Sequence, residues 1–383
     1  MTLIEILSNE EARRHEFPVA RDKIFLAHAG VCPLPRRVSD AVRAYAEQCT
    51  QGDQETLLPA YHLPHSRELA ARLLHATPEE IAFVGPTSLA LSCVAAGLEF
   101  KNTDNILVYF DDFPANVYPW MALANSGVEV RFLKVRELGR VGPADVIEQV
   151  NEQTRLVALS SCHFVAGYRL DLNAVGRALR ERNILFCVDA IQTLGAFPTP
   201  VESIDFVAAD AHKWLLGPCA AGIFYVRKEV QERLRPTAFG WNNVRCPNFA
   251  AQNELTLRPD ARRYEAGSQN LLGLVGLCAA LELLLEVGID NIAAELLRKR
   301  ALLVPALCAK GYQVLQADAP SANASGIISF YRDATDMPAL FARLEAANIV
   351  ASLRMDRGRR PYLRLSPHFY NTDAELHRVL ELL

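Results

Sequence analysis

The first narrowing of this sequence comes from what it lacks. Its nine cysteines are scattered, and no two stand in a CxxC pair. An odd count without paired spacing is not a disulfide framework. Cys93, Cys187 and Cys278 lie inside apolar runs, where a free thiol packs as a small hydrophobe. A reducing, cytoplasmic setting is the expectation. Basic residues are not in excess: Lys and Arg total 40 against 44 Asp and Glu, a net charge of −4. Non-specific nucleic-acid binding needs a basic surface, so no nucleic-acid partner is expected. No apolar run approaches the roughly 18 residues of a membrane span. The N-terminus, MTLIEILSNEEARRHEF, has no basic start leading into an apolar core. Neither a membrane partner nor a signal peptide is therefore expected. There is no internal repeat and no low-complexity linker. GPTSLALS, the first turn into a helix, lacks the GxGxxG of a nicotinamide site. No HxxxH spacing joins His163 or His212 into a metal hydrolase, and no metal site is expected.

What is present is a chain of 383 residues, 50% hydrophobic and 22% charged. That length suggests two domains, three at most, with room for a large core. Seven apolar runs read as strands: IAFVG (81–85), NILVYF (105–110), VEVRFL (128–133), RLVALSS (155–161), NILFCVD (183–189), IDFVAAD (204–210) and AGIFYV (221–226). Most are apolar on both faces, as in a parallel sheet covered by helices. Helical stretches at 88–100, 143–153 and 171–183 alternate with them, so an α/β layer fold is expected. Residues 267–310 carry long helical periodicity. Strands at 326–332, 349–354 and 361–366 follow, with helices near 336–347 and 372–383. The expected division is an N-terminal segment 1–60 packing partly on the small domain, a large α/β domain 61–270 and a small α+β domain 271–383.

Two strand ends carry the chemistry. In DFVAADAHKWLLGPCAAGIFYV (205–226), Lys213 follows an apolar strand and precedes a glycine turn. Ligands bind at the carboxyl ends of strands in such sheets. A lysine buried there has a lowered pKa, and a neutral amine is what Schiff-base chemistry requires; a lysine snorkelling to the surface is the competing reading. In NILFCVDAIQTLGAFP, Asp189 ends the preceding strand, where an acid caps a helix or pairs with a cationic ring nitrogen. A strand-end acid and a strand-end lysine one strand apart are what a pyridoxal phosphate site needs: the acid keeps the pyridine protonated and the lysine holds the aldehyde.

With these residues in place, the sequence resembles fold-type I pyridoxal-phosphate enzymes of the class V aminotransferase and cysteine desulfurase superfamily. VDAIQ, DAHKW, RRYEAGSQN and RLSPHFYNT stand in the family's order and spacing, and the likeness runs from FLAHAGVCPLP (25–35) to SPHFYNT (366–372). The resemblance implies a large domain with a mostly parallel seven-stranded sheet and a small C-terminal α+β domain. It implies pyridoxal 5'-phosphate as cofactor, a small amino-acid substrate, and a homodimer with shared active sites. By the same likeness, Lys213 is the Schiff-base lysine and proton shuttle. Asp189 pairs with the pyridine nitrogen, Gln192 donates to the ring hydroxyl, and His212, Thr87 and Ser88 bind the phosphate. Phe113 lies over the ring, Gly267 and Ser268 reach the partner's phosphate, and Trp241 plays a similar part. Arg364 binds the α-carboxylate, with His28 and Arg354 as further lining residues.

Two departures bear on the reaction. Desulfurases carry a nucleophilic cysteine shortly before this arginine, and IVASLRMDRGRRPYLRLS contains none. Asp210 stands where desulfurases have a small hydroxyl residue. Phe113 and Phe164 replace a histidine and an asparagine, as in kynureninase-like and isopenicillin N epimerase-like members. The first expectation is therefore a class V aminotransferase. A C–S or C–C lyase and an epimerase are the alternatives, and a non-catalytic binding protein of the same fold is the rival of another class.

Overall fold

The computed structural model describes residues 2–383. Its strands, in chain order, are β1 (Ile24–Phe25), β2 (Ile81–Phe83), β3 (Asn105–Val108), β4 (Glu129–Phe132), β5 (Thr154–Ser160), β6 (Leu185–Asp189), β7 (Phe206–Ala209), β8 (Ile223–Val226), β9 (Gln313–Val314), β10 (Ile328–Tyr331), β11 (Ile349–Val350), β12 (Ser352–Met355) and β13 (Pro361–Leu365). All seven runs read as strands between 81 and 226 join one sheet, in the order β2-β8-β7-β6-β5-β3-β4. The pairs from β4 across to β7 are parallel, and β8 runs antiparallel to both its neighbours. The central strands are buried on both faces, which is why they read as unbroken apolar runs. β4 has exposed ends and half-buried middle positions, with none fully buried, because it is the sheet's edge. Strand order reverses between β3 and β5, and the crevice at such a switch point is where an α/β sheet binds its ligand.

A second sheet, β12-β13-β10-β9, is antiparallel. The stretch 349–354 is split between two sheets: β11 pairs with β1, and β12 pairs with β13. The N-terminus is thus hydrogen-bonded to the small sheet's region. Leu26 also joins its core, with Leu303, Ile328, Phe330, Leu363 and Leu376.

The helical stretch after Gly267 is two helices, Leu271–Val287 and Ile289–Ala309, bent by 75° at Gly288. Gly288 takes φ +89°, a left-handed value that suits glycine. The first helix is apolar all round because it is enclosed. It packs on Arg36–Gln48 and His62–Leu74, and its leucines enter the same core as the seven-stranded sheet. Full burial of each leucine is worth roughly 1.5–3 kcal/mol. The core that contains Leu26 takes its remaining buried members from Leu303 onward. Among the described residues, no single helix is long and apolar enough to cross a membrane. The helix expected over 143–153 stops at Ile147. Beyond it, the Asn151 carboxamide accepts from the Gln153 amide and Thr154 Oγ1 accepts from the Asn151 amide, closing a turn instead.

Candidate active site

The carboxyl ends of β3, β5, β6 and β7 converge, and the loops after them carry Phe113, Phe164, Asp189 and Lys213. Lys213 is 7% exposed, which settles burial over snorkelling. Desolvation pushes its ammonium down to about 8, against the pull of Asp189, and the nearby Arg364 and Arg354 lower it further. Its Nζ lies 5.2 Å from the centre of the Phe113 ring. Asp189 ends β6 fully buried, and Oδ1 accepts the Ile191 amide at 3.0 Å. Burial, then the charge of Asp112, raises its carboxyl to about 7, against the pull of Lys213 and His212.

The loop 210–221 is tied by Asp210. Its carboxylate accepts the amides of Ala211, Ala220 and Ala221 and His212 Nδ1. Thr87 Oγ1 accepts the Asp210 amide at 2.9 Å, joining this loop to the helix Thr87–Gly97. That helix starts on Pro86 without a side-chain cap, leaving first-turn amides for an anion. Thr87 is buried and Ser88 exposed at its start. Gln192 donates to the Ala29 carbonyl and accepts from the Trp214 indole, which leaves one amide hydrogen for a ligand.

Asp112 escaped the sequence reading. It is buried and accepts from Phe113 N, Ser160 N, Ser160 Oγ and Asn116 Nδ2, clamping the Phe113 loop against the end of β5. An acid just before a ring residue is the only local signal for it. Phe164 packs edge-on to Phe113 at 5.4 Å. His163 donates to or accepts from protein at both ring nitrogens, through the Asp111 carbonyl and the Ala166 amide.

Arg364, on β13, is 1% exposed. Nη1 donates to the Phe164 carbonyl at 2.6 Å, and Nη2 lies 3.4 Å from Ser352 Oγ. Its Nε and the Arg354 Nε are buried without a hydrogen-bond partner. Burial, then Arg354, pushes the Arg364 guanidinium down to about 9. Both Nη2 atoms lie 3.7–3.8 Å from where a Cβ at Gly30 would sit, so a side chain there would crowd the space the two guanidinium groups share. Ser366, just beyond β13, binds the Leu26 carbonyl and the Ala29 amide and brings Gly30 to that position. His28 lies beside this junction but is fully buried. Nδ1 donates to the Ser366 carbonyl and Nε2 faces the Tyr370 hydroxyl at 2.8 Å. Burial holds its imidazole down at about 3, so it is neutral and has no ring atom left for a ligand.

Trp241 and Ser268 are exposed and Gly267 is half-buried. Gly267 and Ser268 border a groove of about 360 Å³ beside Gly85 and Ala220. Ser268 Oγ donates to Glu55, and nothing lies within 4 Å of a Cβ at Gly267. Their loop is anchored by Glu265, buried against Arg67 at 2.7 Å and accepting the Phe83 amide.

The donor set fits pyridoxal phosphate: a buried amine beside a buried carboxyl and an aromatic face, an uncapped helix start with a hydroxyl, and buried guanidinium nitrogens left unpaired. The family model described as aminotransferase class V matches residues 24–379. The chain belongs to the class V aminotransferase family. It is a pyridoxal-phosphate-dependent enzyme of this superfamily, as the sequence motifs implied. It is 31% identical to a probable cysteine desulfurase of Methanothermobacter thermautotrophicus over 294 residues, 75% of this chain and 73% of the relative. It is 26% identical to an uncharacterized aminotransferase, YcbU, of Bacillus subtilis, over 97% of this chain and 96% of that one. The fold matches a cysteine desulfurase from Thermococcus onnurineus with a TM-score of 0.89 at 22% identity, covering 98% of this chain and 96% of that one. It matches a cystine C–S lyase, C-DES, with a TM-score of 0.86 at 22% identity, covering 95% and 98%.

Proposed function

We propose that this enzyme is a C–S lyase acting on a cysteine-derived amino acid, eliminating the sulfur substituent at the β-carbon. Transamination, the first reading of the sequence, becomes the alternative, because several of its relatives are described as probable cysteine desulfurases. The observation that shapes the chemistry is the hairpin between β12 and β13. It carries Asp356, Arg357, Gly358, Arg359 and Arg360, and no cysteine follows Cys308 in the chain. No thiol stands there to take sulfur onto the protein, so sulfur departs with its own substituent.

Thr87, Ser88 and His212 would hold the phosphate, Asp189 the ring nitrogen, Gln192 the ring oxygen, Phe113 the ring face and Lys213 the aldehyde carbon. The bound cofactor supplies an electron sink for the carbanion at the α-carbon. Arg364 fixes the carboxylate through a two-pronged guanidinium contact, with Arg354 beside it. The Lys213 amine takes the α-proton. Loss of that proton pushes out the β-substituent with the C–S electron pair. Water then completes the balance, and the products are a thiol, pyruvate and ammonia.

The active form is proposed to be a homodimer in which Gly267, Ser268 and Trp241 face the partner's phosphate. The support is exposed apolar surface in this segment: Phe239, Trp241, Phe249 and Leu255 are 55%, 38%, 76% and 66% exposed, and the Trp241 and Phe249 rings meet at 5.4 Å. The deciding experiment incubates the holoenzyme with L-cysteine, L-cystine, an S-alkyl-L-cysteine, and L-alanine plus a 2-oxo acid. Pyruvate and ammonia from the sulfur substrates are expected. Amino transfer from alanine without pyruvate from any sulfur substrate would favour the aminotransferase instead.

A further inference from the structure

Asp210 takes no part in the chemistry above, yet it is the most heavily bonded acid in the Lys213 loop. It is 3% exposed. Oδ1 accepts the amides of Ala211 and Ala221 at 2.8 and 3.1 Å. Oδ2 accepts the amide of Ala220 at 3.0 Å and His212 Nδ1 at 2.8 Å. Three of these four partners are backbone amides, which can only donate, so the carboxylate oxygens act as acceptors. The hydrogen of the His212–Asp210 contact therefore sits on Nδ1, and Nε2 is the ring atom left for a ligand.

That fixes what His212 can offer. With Nδ1–H bonded to Asp210, a neutral imidazole presents a lone pair at Nε2. A phosphate dianion also presents only lone pairs. The two repel unless a proton enters between them. A nearby anion favours the imidazolium, and a carboxylate behind a histidine is a common way to raise its basicity. We infer that Asp210 is a positioning residue that makes His212 a proton-linked phosphate clamp: binding of the cofactor's phosphate draws one proton from solution into the His212 Nε2–phosphate contact, with Asp210 as the counter-charge.

This rests on the pyridoxal-phosphate assignment and on His212 as a phosphate ligand. The charged and titratable groups around His212 are Asp210 and Lys213 on its own loop and Asp189 on β6. Cys32, whose amide donates to the His212 carbonyl, has its thiol pushed up by burial to about 12 and stays neutral. The inference also accounts for an acid where a phosphate site would otherwise exclude one.

The test uses the full chain stripped of cofactor and pyridoxamine 5'-phosphate as the probe, since that ligand has no aldehyde to react with Lys213. Titration calorimetry at pH 8 in buffers of different ionisation enthalpy counts protons taken up per ligand. The natural chain should take up about one proton more than His212→Asn, a neutral hydrogen-bond donor that leaves the Asp210–backbone bonds intact. Where one proton is taken up per ligand, its affinity should fall about tenfold per pH unit relative to that variant. Asp210→Asn should lower proton uptake as His212→Asn does, and weaken binding about tenfold or more. Equal proton uptake by the natural chain and His212→Asn overturns the inference while leaving the cofactor assignment standing. Failure of the natural chain to bind the probe at all overturns the assignment beneath it.

Discussion

The two sides of the site are built on opposite terms. On the large sheet, around Lys213, almost every polar group is already engaged. Asp210 and Asp112 each accept four hydrogen bonds, and Gln192 bonds on both sides of its amide. On the small sheet, Arg364 and Arg354 keep buried Nε atoms without partners. A buried unpaired donor costs roughly 1–3 kcal/mol. On the proposed reading, that cost is borne where a passing substrate's carboxylate would remove it and avoided where a cofactor would stay put. The large-sheet half resembles a finished socket, and the small-sheet half a socket awaiting an anion.

This contrast can be broken by substitution. The largest effect should come from Lys213→Ala: loss of proton transfer lowers kcat by about 10³–10⁴-fold. The visible absorption of the bound cofactor should also change, and an unchanged spectrum would remove Lys213 from the site. Arg364→Lys should lower kcat/KM by about 10²-fold, because an ammonium cannot make the forked contact. Steady-state kinetics with the sulfur substrates measures this, and a change in kcat alone would count against a carboxylate role.

The third effect concerns pH. A lysine amine is neutral above its pKa, and burial brings Lys213 from 10.5 to about 8. About a tenth is neutral at pH 7 and about nine-tenths at pH 9. The rate of pyridoxal phosphate uptake by the stripped chain should therefore rise about tenfold across that interval, with its midpoint near 8 in stopped-flow absorbance. A midpoint above 10 would mean that Lys213 is not desolvated.

Stability should split the same way. Asp112→Ala strands the donors of Phe113 and Ser160 and should cost about 2–3 kcal/mol, seen as a lower denaturation midpoint. Arg354→Ala removes a half-buried cation with an unpaired nitrogen. It should raise KM several-fold and leave the midpoint unchanged or slightly higher. A large loss of stability in Arg354→Ala would erase the distinction between the two halves.

Much of this was legible in the chain. Seven apolar runs became seven strands of one sheet, because strands covered on both faces must be apolar throughout. Strand-end positions put Asp189 and Lys213 side by side, because parallel neighbours bring their carboxyl ends to one edge. The break at Gly288 was not read from the helical periodicity of 267–310, since helical pattern continues on both sides and one glycine within such a run carries little signal. His28 was read as lining the substrate site. Its place between Ser366 and Tyr370 depends on a contact more than 300 residues along the chain.

The sequence by itself determined the family, the sheet, and the residues able to do the chemistry. Those depend on local pattern and on which functional groups the chain possesses. Tertiary structure decided which groups are free. It buried Lys213 and lowered its basicity, and it committed both nitrogens of His28 and His163 to the protein. It also turned Asp210 from an apparent misfit beside a phosphate into the partner of His212. Burial and pairing are set by what the folded chain brings from elsewhere, and no window of sequence contains them.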